Sequence, residues 1–302
     1  MNQILDRLPE GSRIAILRLR SLGDCILTTP AISLLKAARP DLQLAIIVED
    51  PFTAVFEANP DVHRIMPPST TEIALWRPEL VLNLHGGTRS TQLTFASRAR
   101  VRAGFAHFRF RAVYNVRIPR AQEILRVERK VHTAEHLASA MFYLGVPRTE
   151  IPRARLYETA PLPKPARPYA VIHPIASAPE KTWPAERFLD VAKRLKRDAG
   201  IDPVFIAGPE DNLAAFRKYR CVAGAPLSEV KSLIAQAAMF VGNDSGPAHM
   251  AAAFGLPTVV LFGPSDHEVW APWKTDGVVL KSPDIAGISV EQVAQALTGL
   301  LV

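Results

Sequence analysis

Gly242-Asn243-Asp244-Ser245-Gly246-Pro247-Ala248-His249 lies between two apolar runs, Ala237-Ala238-Met239-Phe240-Val241 before it and Met250-Ala251-Ala252-Ala253-Phe254-Gly255 after it. The first run reads as a strand that stops at small and polar residues, and the second as an alanine-rich helix. Amides at the start of such a helix have no internal partner. With the positive end of the helix dipole they form a site for a phosphate. Glycine and serine there let a ligand come close to the backbone. A new strand, Pro257-Thr258-Val259-Val260-Leu261-Phe262, follows at once, as in an α/β sheet. The stretch predicts an α/β fold with a nucleotide or sugar-phosphate ligand at a strand end.

The same alternation extends in both directions. Tyr169–His173 and Pro203–Ala207 read as strands, and Pro184 to Lys196 as a helix with proline in its first turn. Ser289 and Gln292 have capping-box spacing for a final helix to about Leu300. In the first half, Arg13–Leu19, Leu42–Val48 and Leu80–Leu84 read as buried strands, with helical patterns over Ala31–Ala38 and Thr133–Leu144. Pro161-Leu162-Pro163-Lys164-Pro165-Ala166-Arg167-Pro168 cannot sustain a helix or a central strand and reads as a linker. The expected organisation is a first domain over 1–160, the linker over 161–168, a second domain over 169–285 and a terminal helix over 286–302. Two doubly wound sheets with sites at their strand C-terminal ends, facing a cleft, fit this pattern.

The chain has 302 residues, 48% apolar and 22% charged, enough for two cores. Its start lacks the basic and apolar regions of a signal peptide, and no apolar run is long enough to span a bilayer. Cys25 and Cys221 are too few for a disulfide framework or a zinc site. A cytoplasmic location is expected. Of the formal charge of +7, the segment from His85 to Arg155 carries fourteen basic residues against four glutamates, so the remainder is slightly acidic. Such a field suits an anionic acceptor or lipid headgroups, and equally a solvated arginine face. A nucleic-acid partner is not expected, because no RNA- or DNA-reading motif is present.

Candidate chemistry gathers at the strand ends. The first strand runs into Arg20-Ser21-Leu22-Gly23-Asp24 without the glycine triplet of a dinucleotide site. Asp24 reads either as a helix cap or as a base that takes a proton from a hydroxyl. Lys181, just before the helix opened by Pro184, can neutralise charge on a departing diphosphate or be a solvated loop lysine. Ser177 and Thr182 are candidate phosphate donors, and Trp183 is a packing anchor. The Ser245 and Gly246 amides are better phosphate donors than Asp244, which reads as a cap or a partner of sugar hydroxyls. His249, inside the helix, reads as structural. His85, in His85-Gly86-Gly87-Thr88-Arg89, is either a sugar contact or a polar strand end. No metal-site spacing, P-loop or Gly-x-Ser-x-Gly element is present.

Three motifs in order, Ser21-Leu22-Gly23-Asp24 with Thr29-Pro30, His173-Pro174 leading to Lys181-x-Trp183-Pro184, and Asp244-Ser245-Gly246-Pro247-x-His249, resemble glycosyltransferase family 9. That is the family of the ADP-heptose:lipopolysaccharide heptosyltransferases, and the resemblance spans Arg13 to about Trp273. It implies a GT-B fold with acceptor on the first domain, nucleotide sugar on the second, and a final helix packing back on the first. It further implies Asp24 as base and Lys181 on the donor diphosphate. Ser177, Thr182, Glu210, Asp244, Ser245, Gly246 and His249 would line the donor site, with Glu210 near the ribose. From their place at a strand end and in the basic first half, His85, Arg89, Arg109 and Arg111 are the expected acceptor contacts. Ile175 departs from the glycine many members carry after His-Pro, and the His85-Gly86-Gly87 segment matches no single subtype.

The expected activity is an inverting glycosyl transfer needing neither metal nor cofactor, with ADP-heptose as donor and an anionic glycolipid, the lipopolysaccharide core, as acceptor. Peripheral contact with the inner membrane goes with that acceptor. Two alternatives remain open on the sequence: a sugar-nucleotide epimerase of the same architecture, and a non-catalytic nucleotide-sugar or glycan-binding module.

Overall fold

The computed structural model describes residues 3–159, 163 and 165–301. The chain divides between Tyr157 and Glu158 into two compact units. The proline-rich stretch 161–168 falls just inside the second unit, and its residues 161, 162 and 164 lie outside those described.

The first unit has six strands, β1 (Arg13–Leu17), β2 (Gln43–Ile47), β3 (Arg64–Met66), β4 (Leu80–Asn83), β5 (Val101–Phe105) and β6 (Val116–Ile118). They form one parallel sheet in the order β3-β2-β1-β4-β5-β6. Its helices are α1 (Leu22–Ala38), α2 (Thr70–Trp76), α3 (Gly87–Ala96), α4 (Ala121–Leu125) and α5 (Thr133–Leu144). β1 lies centrally and Ile14 to Leu17 are fully buried, which is why this strand reads as an unbroken apolar run.

The sequence predicts a helix only from Ala31, whereas α1 starts at Leu22 and carries Pro30 in its interior. Proline cannot donate to the carbonyl four residues back, here that of Ile26. The Thr29 hydroxyl donates to the Ile26 carbonyl instead, at 2.8 Å. Burial of Cys25 to Ile32 then holds the helix through its weak point.

The second unit repeats the plan with β7 (Tyr169–His173), β8 (Asp202–Ala207), β9 (Arg220–Ala223), β10 (Met239–Asn243), β11 (Thr258–Phe262) and β12 (Gly277–Lys281). Its order is β12-β11-β10-β7-β8-β9, again all parallel. Counted from its own first strand, each sheet has the order 3-2-1-4-5-6, the doubly wound arrangement. The helices are α6 (Ala185–Ala199), α7 (Leu227–Ala235), α8 (Gly246–Phe254), α9 (His267–Trp270) and α10 (Val290–Gly299).

Trp183 is fully buried in this core, edge-on to Phe188 with ring centroids 4.9 Å apart. Its indole N–H donates to the Ile288 carbonyl at 2.9 Å. Burying each such ring contributes roughly 1.5–3 kcal/mol, so Trp183 is the packing anchor its position suggests. The final helix α10 starts at the expected capping box, with Gln292 N–H to Ser289 Oγ at 3.2 Å and Ser289 N–H to Gln292 Oε1 at 2.8 Å. Val293 and Leu297 join the second unit's own core beside Val191 and Leu195 of α6. Among the described residues no helix is long and apolar enough to cross a membrane.

Candidate active site

Strand order reverses between β1 and β4 in the first sheet and between β7 and β10 in the second. In open α/β sheets, ligands bind outside the strand C-termini at such switch points. His173 ends β7, and Asp24, His85 and Ser245 lie just after β1, β4 and β10, so the sequence motifs fall at the two switch points.

In the first unit Ser21, not Asp24, is the N-cap of α1. Asp24 sits in the first turn and accepts from the Ser21 hydroxyl at 3.2 Å, so the reading of Asp24 as the cap falls away. Its other oxygen lies 3.7 Å from a guanidinium nitrogen of Arg18. Arg18 is buried, and its Nε has no hydrogen-bond partner. Burial depresses its basicity, an effect opposed by Asp24. The Cys25 thiol beside them is pushed up to about 12, chiefly by burial, and is inert as a nucleophile.

His85 is half-buried, with its Nδ1 unpartnered. Burial lowers its pKa and the charge of Arg18 lowers it further, which favours the neutral imidazole. The turn that carries it is tied by Asn83, whose side-chain oxygen accepts from the His85 and Gly86 amides at 3.0 Å each. Gly86 has φ +71°, and a Cβ there would sit 2.8 Å from the Phe108 ring. Only glycine fits this position. Arg89, exposed in the first turn of α3, pairs with Glu49 at 3.8 Å. Arg109 and Arg111 are exposed on the segment between β5 and β6, Arg109 over the Phe110 ring. Among the described residues, no ion pair or hydrogen bond joins these three arginines to Asp24, Arg18 or His85.

In the second unit Ser245 is the N-cap of α8, so Asp244 is no cap either. The Ser245 hydroxyl donates to the Asn243 carbonyl at 3.0 Å and meets His173 Nδ1 at 3.0 Å. With that hydroxyl proton committed, the bond to His173 is satisfied by a neutral ring protonated on Nδ1. Burial holds the His173 pKa at about 4, consistent with that form. Pro247 supplies no N–H, and the Ala248 amide turns back to the Ser245 carbonyl at 3.2 Å. Among the described residues the Ser245 and Gly246 amides have no hydrogen-bond partner. They remain as donors at the positive end of α8.

Lys181, one-third exposed, stands 4.0 Å from Asp244. Asp244 is pushed up by burial, with Lys181 among the groups that draw it back. Gly263 lets the lysine's turn approach, since a Cβ there would lie 2.7 Å from the Glu180 carbonyl. Asn243 ties the loop after β7 to β10, accepting from the Trp183 amide at 3.1 Å and donating to the Pro174 carbonyl at 2.9 Å. The Thr182 hydroxyl donates to the Ala178 carbonyl at 2.9 Å and accepts from the Ala176 amide; it shapes the loop rather than facing outward. Ser177 is exposed on that loop, and His249 is buried on α8. Glu210 is exposed in the turn after β8, where its neighbour Asp211 accepts from the Gly208 amide at 2.8 Å.

Arg18, Asn83, His173 and Asn243 were not singled out by role in the sequence. Each is a polar residue at the end of an apolar strand, and that abrupt change from apolar to polar was the available signal. Among the described residues no three His, Cys, Asp or Glu side chains gather as a metal site would require.

Residues 75–296 match the model of glycosyltransferase family 9 (heptosyltransferase). Lipopolysaccharide heptosyltransferase 3 of Escherichia coli is 26% identical over 295 residues, covering 85% of each chain. Among solved structures, a glycosyl transferase family 9 protein of Veillonella parvula superposes with a TM-score of 0.85 at 24% identity, over 96% of this chain and 97% of that one. The E. coli heptosyltransferase WaaC, solved with ADP, gives 0.80 at 21% identity, over 95% and 99%. These likenesses establish the GT-B fold expected from the resemblance. With three motifs at two switch points and a family match over most of its length, this chain belongs to glycosyltransferase family 9 and is a glycosyltransferase.

Proposed function

We propose that this enzyme transfers heptose from ADP-heptose to a lipopolysaccharide core acceptor, with inversion and without a metal. The observation that carries this reading is the pair of unpartnered amides, Ser245 and Gly246, at the start of α8 on the sheet edge that also bears Lys181. A diphosphate is the group that such donors and one lysine hold best. On donor binding Lys181 turns from Asp244 to the leaving diphosphate, and Asp244 meets sugar hydroxyls. Asp24 takes the proton of the acceptor hydroxyl as it attacks the anomeric carbon, and the C–O bond to the diphosphate breaks on the opposite face. Glu210 and Ser177 contact the nucleotide.

Adenosine diphosphate as the leaving nucleotide is supported by the relative solved with ADP. The lipopolysaccharide acceptor is supported by the heptosyltransferase relatives. His85, Arg89, Arg109 and Arg111 and the basic first unit suit the phosphates of that glycolipid, with the enzyme working from the cytoplasm against the inner membrane. The test is a thermal-shift series with ADP, UDP, GDP and CDP, followed by mass spectrometry of de-O-acylated lipopolysaccharide core incubated with ADP-heptose. Stabilisation by ADP and a heptose mass increment are expected. Stabilisation by UDP alone, or ADP-heptose turned over without any adduct, overturns the reading.

A further inference from the structure

Arg18 is the most heavily buried cation beside the candidate base, and nothing in the transfer scheme above uses it. It follows β1 directly, where its amide donates to the Ile47 carbonyl at 3.1 Å and its carbonyl accepts from the Cys25 thiol at 3.8 Å. The backbone is therefore fixed on two sides, and the side chain is 8% exposed. An arginine retained in a core for packing alone has its guanidinium satisfied by carbonyls or by a bidentate carboxylate. Arg18 has neither. Among the described residues its single ion-pair partner is Asp24 at 3.7 Å, and its Nε is buried without any partner. A charge so poorly compensated is costly to bury, and such costs persist where function requires them.

The neighbours carry the same mark. Of the charges acting on Cys25 and on His85, that of Arg18 is the largest, and it reaches His136 of α5 as well. The direct partners of Asp24 are Arg18 after β1 and Ser21, the N-cap of α1, while Glu49 after β2 also acts on Cys25 and His85, and Arg20 on His85. Arg18 is the buried cation among them; Glu49 is matched by Arg89.

We propose that Arg18 is a positioning residue for Asp24. Its guanidinium, fixed by β1, stands against one carboxylate oxygen, while the Ser21 hydroxyl holds the other. At 3.7 Å the cation orients that oxygen without a short hydrogen bond, so the oxygen stays able to accept the proton of an incoming hydroxyl. When an acceptor displaces water from this edge, Arg18 remains as the counter-charge. The proposal rests on Asp24 being the base.

The experiment compares pH profiles of kcat/KM for wild type, Arg18→Met, Arg18→Lys and Asp24→Asn, using ADP-heptose and de-O-acylated lipopolysaccharide core. Melting temperature and ADP affinity are measured on each protein. Arg18→Met should lower kcat by about tenfold or more and move the acid limb of the profile to higher pH, with ADP affinity unchanged. Arg18→Lys should restore most of the limb's position. If Arg18→Met lowers the melting temperature and activity but leaves the limb in place, Arg18 is structural and the proposal fails. Where Arg18→Met does not fold, the neutral Arg18→Gln takes its place, and an unmoved limb with unchanged kcat and KM in that variant refutes a positioning role. Asp24→Asn that keeps near-normal turnover and its acid limb overturns the reading of the base itself, a result distinct from any of those for Arg18.

Discussion

His173→Asn is the substitution whose consequence follows most directly from the geometry. The imidazole is almost wholly buried, its Nδ1 lies 3.0 Å from Ser245 Oγ, and burial holds its pKa at about 4. In the unfolded chain an ordinary histidine titrates near 6.5. Above that pH neither state carries the proton, and below about 4 both do. Between them only the unfolded chain binds it, so acid favours unfolding of the second unit. Each tenfold difference in proton affinity between the two states is worth roughly 1.4 kcal/mol, so about 2 kcal/mol of that unit's stability should be lost between pH 7 and pH 5. Asparagine can keep a donor near the Nδ1 position while removing the titration. Hydrogen exchange followed on β7 and β10 peptides isolates the second unit, which matters because His136 in the first is also held at about 4 by burial and adds its own acid sensitivity there. The wild type should lose protection on acidification, and His173→Asn should lose markedly less over the same range. Parallel loss in the two proteins would show that His173 is not the buried neutral group inferred here.

Gly86→Ala must accommodate a φ of +71° and a Cβ 2.8 Å from the Phe108 ring; a loss of about 1–3 kcal/mol should appear in thermal melts, and an unchanged midpoint would refute the constraint. Lys181→Ala should weaken ADP binding by about tenfold or more, the worth of a charge-assisted contact to phosphate; equal affinities by calorimetry would remove Lys181 from the diphosphate site. Thr29→Val keeps the shape but strips the hydroxyl that serves the Ile26 carbonyl and accepts from the Arg155 amide at 3.1 Å. It should cost about 1–3 kcal/mol in urea unfolding, whereas a neutral result would mean that α1 tolerates Pro30 without it.

The parts of this fold that sequence makes visible are those in which one face or one run carries a single physical property. β1, β2, β4, β7 and β10 are apolar because they are covered on both faces, and the Gly242–His249 turn stands out because it interrupts such a run. The start of α1 was not visible. Thr28, Thr29 and Pro30 are poor helix formers, and only the tertiary burial of Cys25 to Ile32, with the Thr29 hydroxyl serving Ile26, keeps them helical. Arg18 was absorbed into the reading of a strand over Arg13–Leu19, because periodicity does not distinguish a charge facing solvent from one turned inward at a strand end. The cap readings of Asp24 and Asp244 failed because Ser21 and Ser245 lie just to either side and take the position; composition near a helix start locates the cap only to within a few residues.

The two units share strand order, yet the asparagines that end their fourth strands take different partners. Asn83 and Asn243 end the fourth strand of their respective sheets, and both are fully buried. Asn83 turns its oxygen to the His85 and Gly86 amides and its nitrogen to the Tyr114 hydroxyl at 2.9 Å. Those two amides are thereby satisfied, and Asp24, Arg18 and His85 stand at the same edge of the first unit. Asn243 turns instead toward the loop after β7, taking the Trp183 amide and giving to the Pro174 carbonyl. The donors of its own turn, Ser245 and Gly246, stay open at the start of α8.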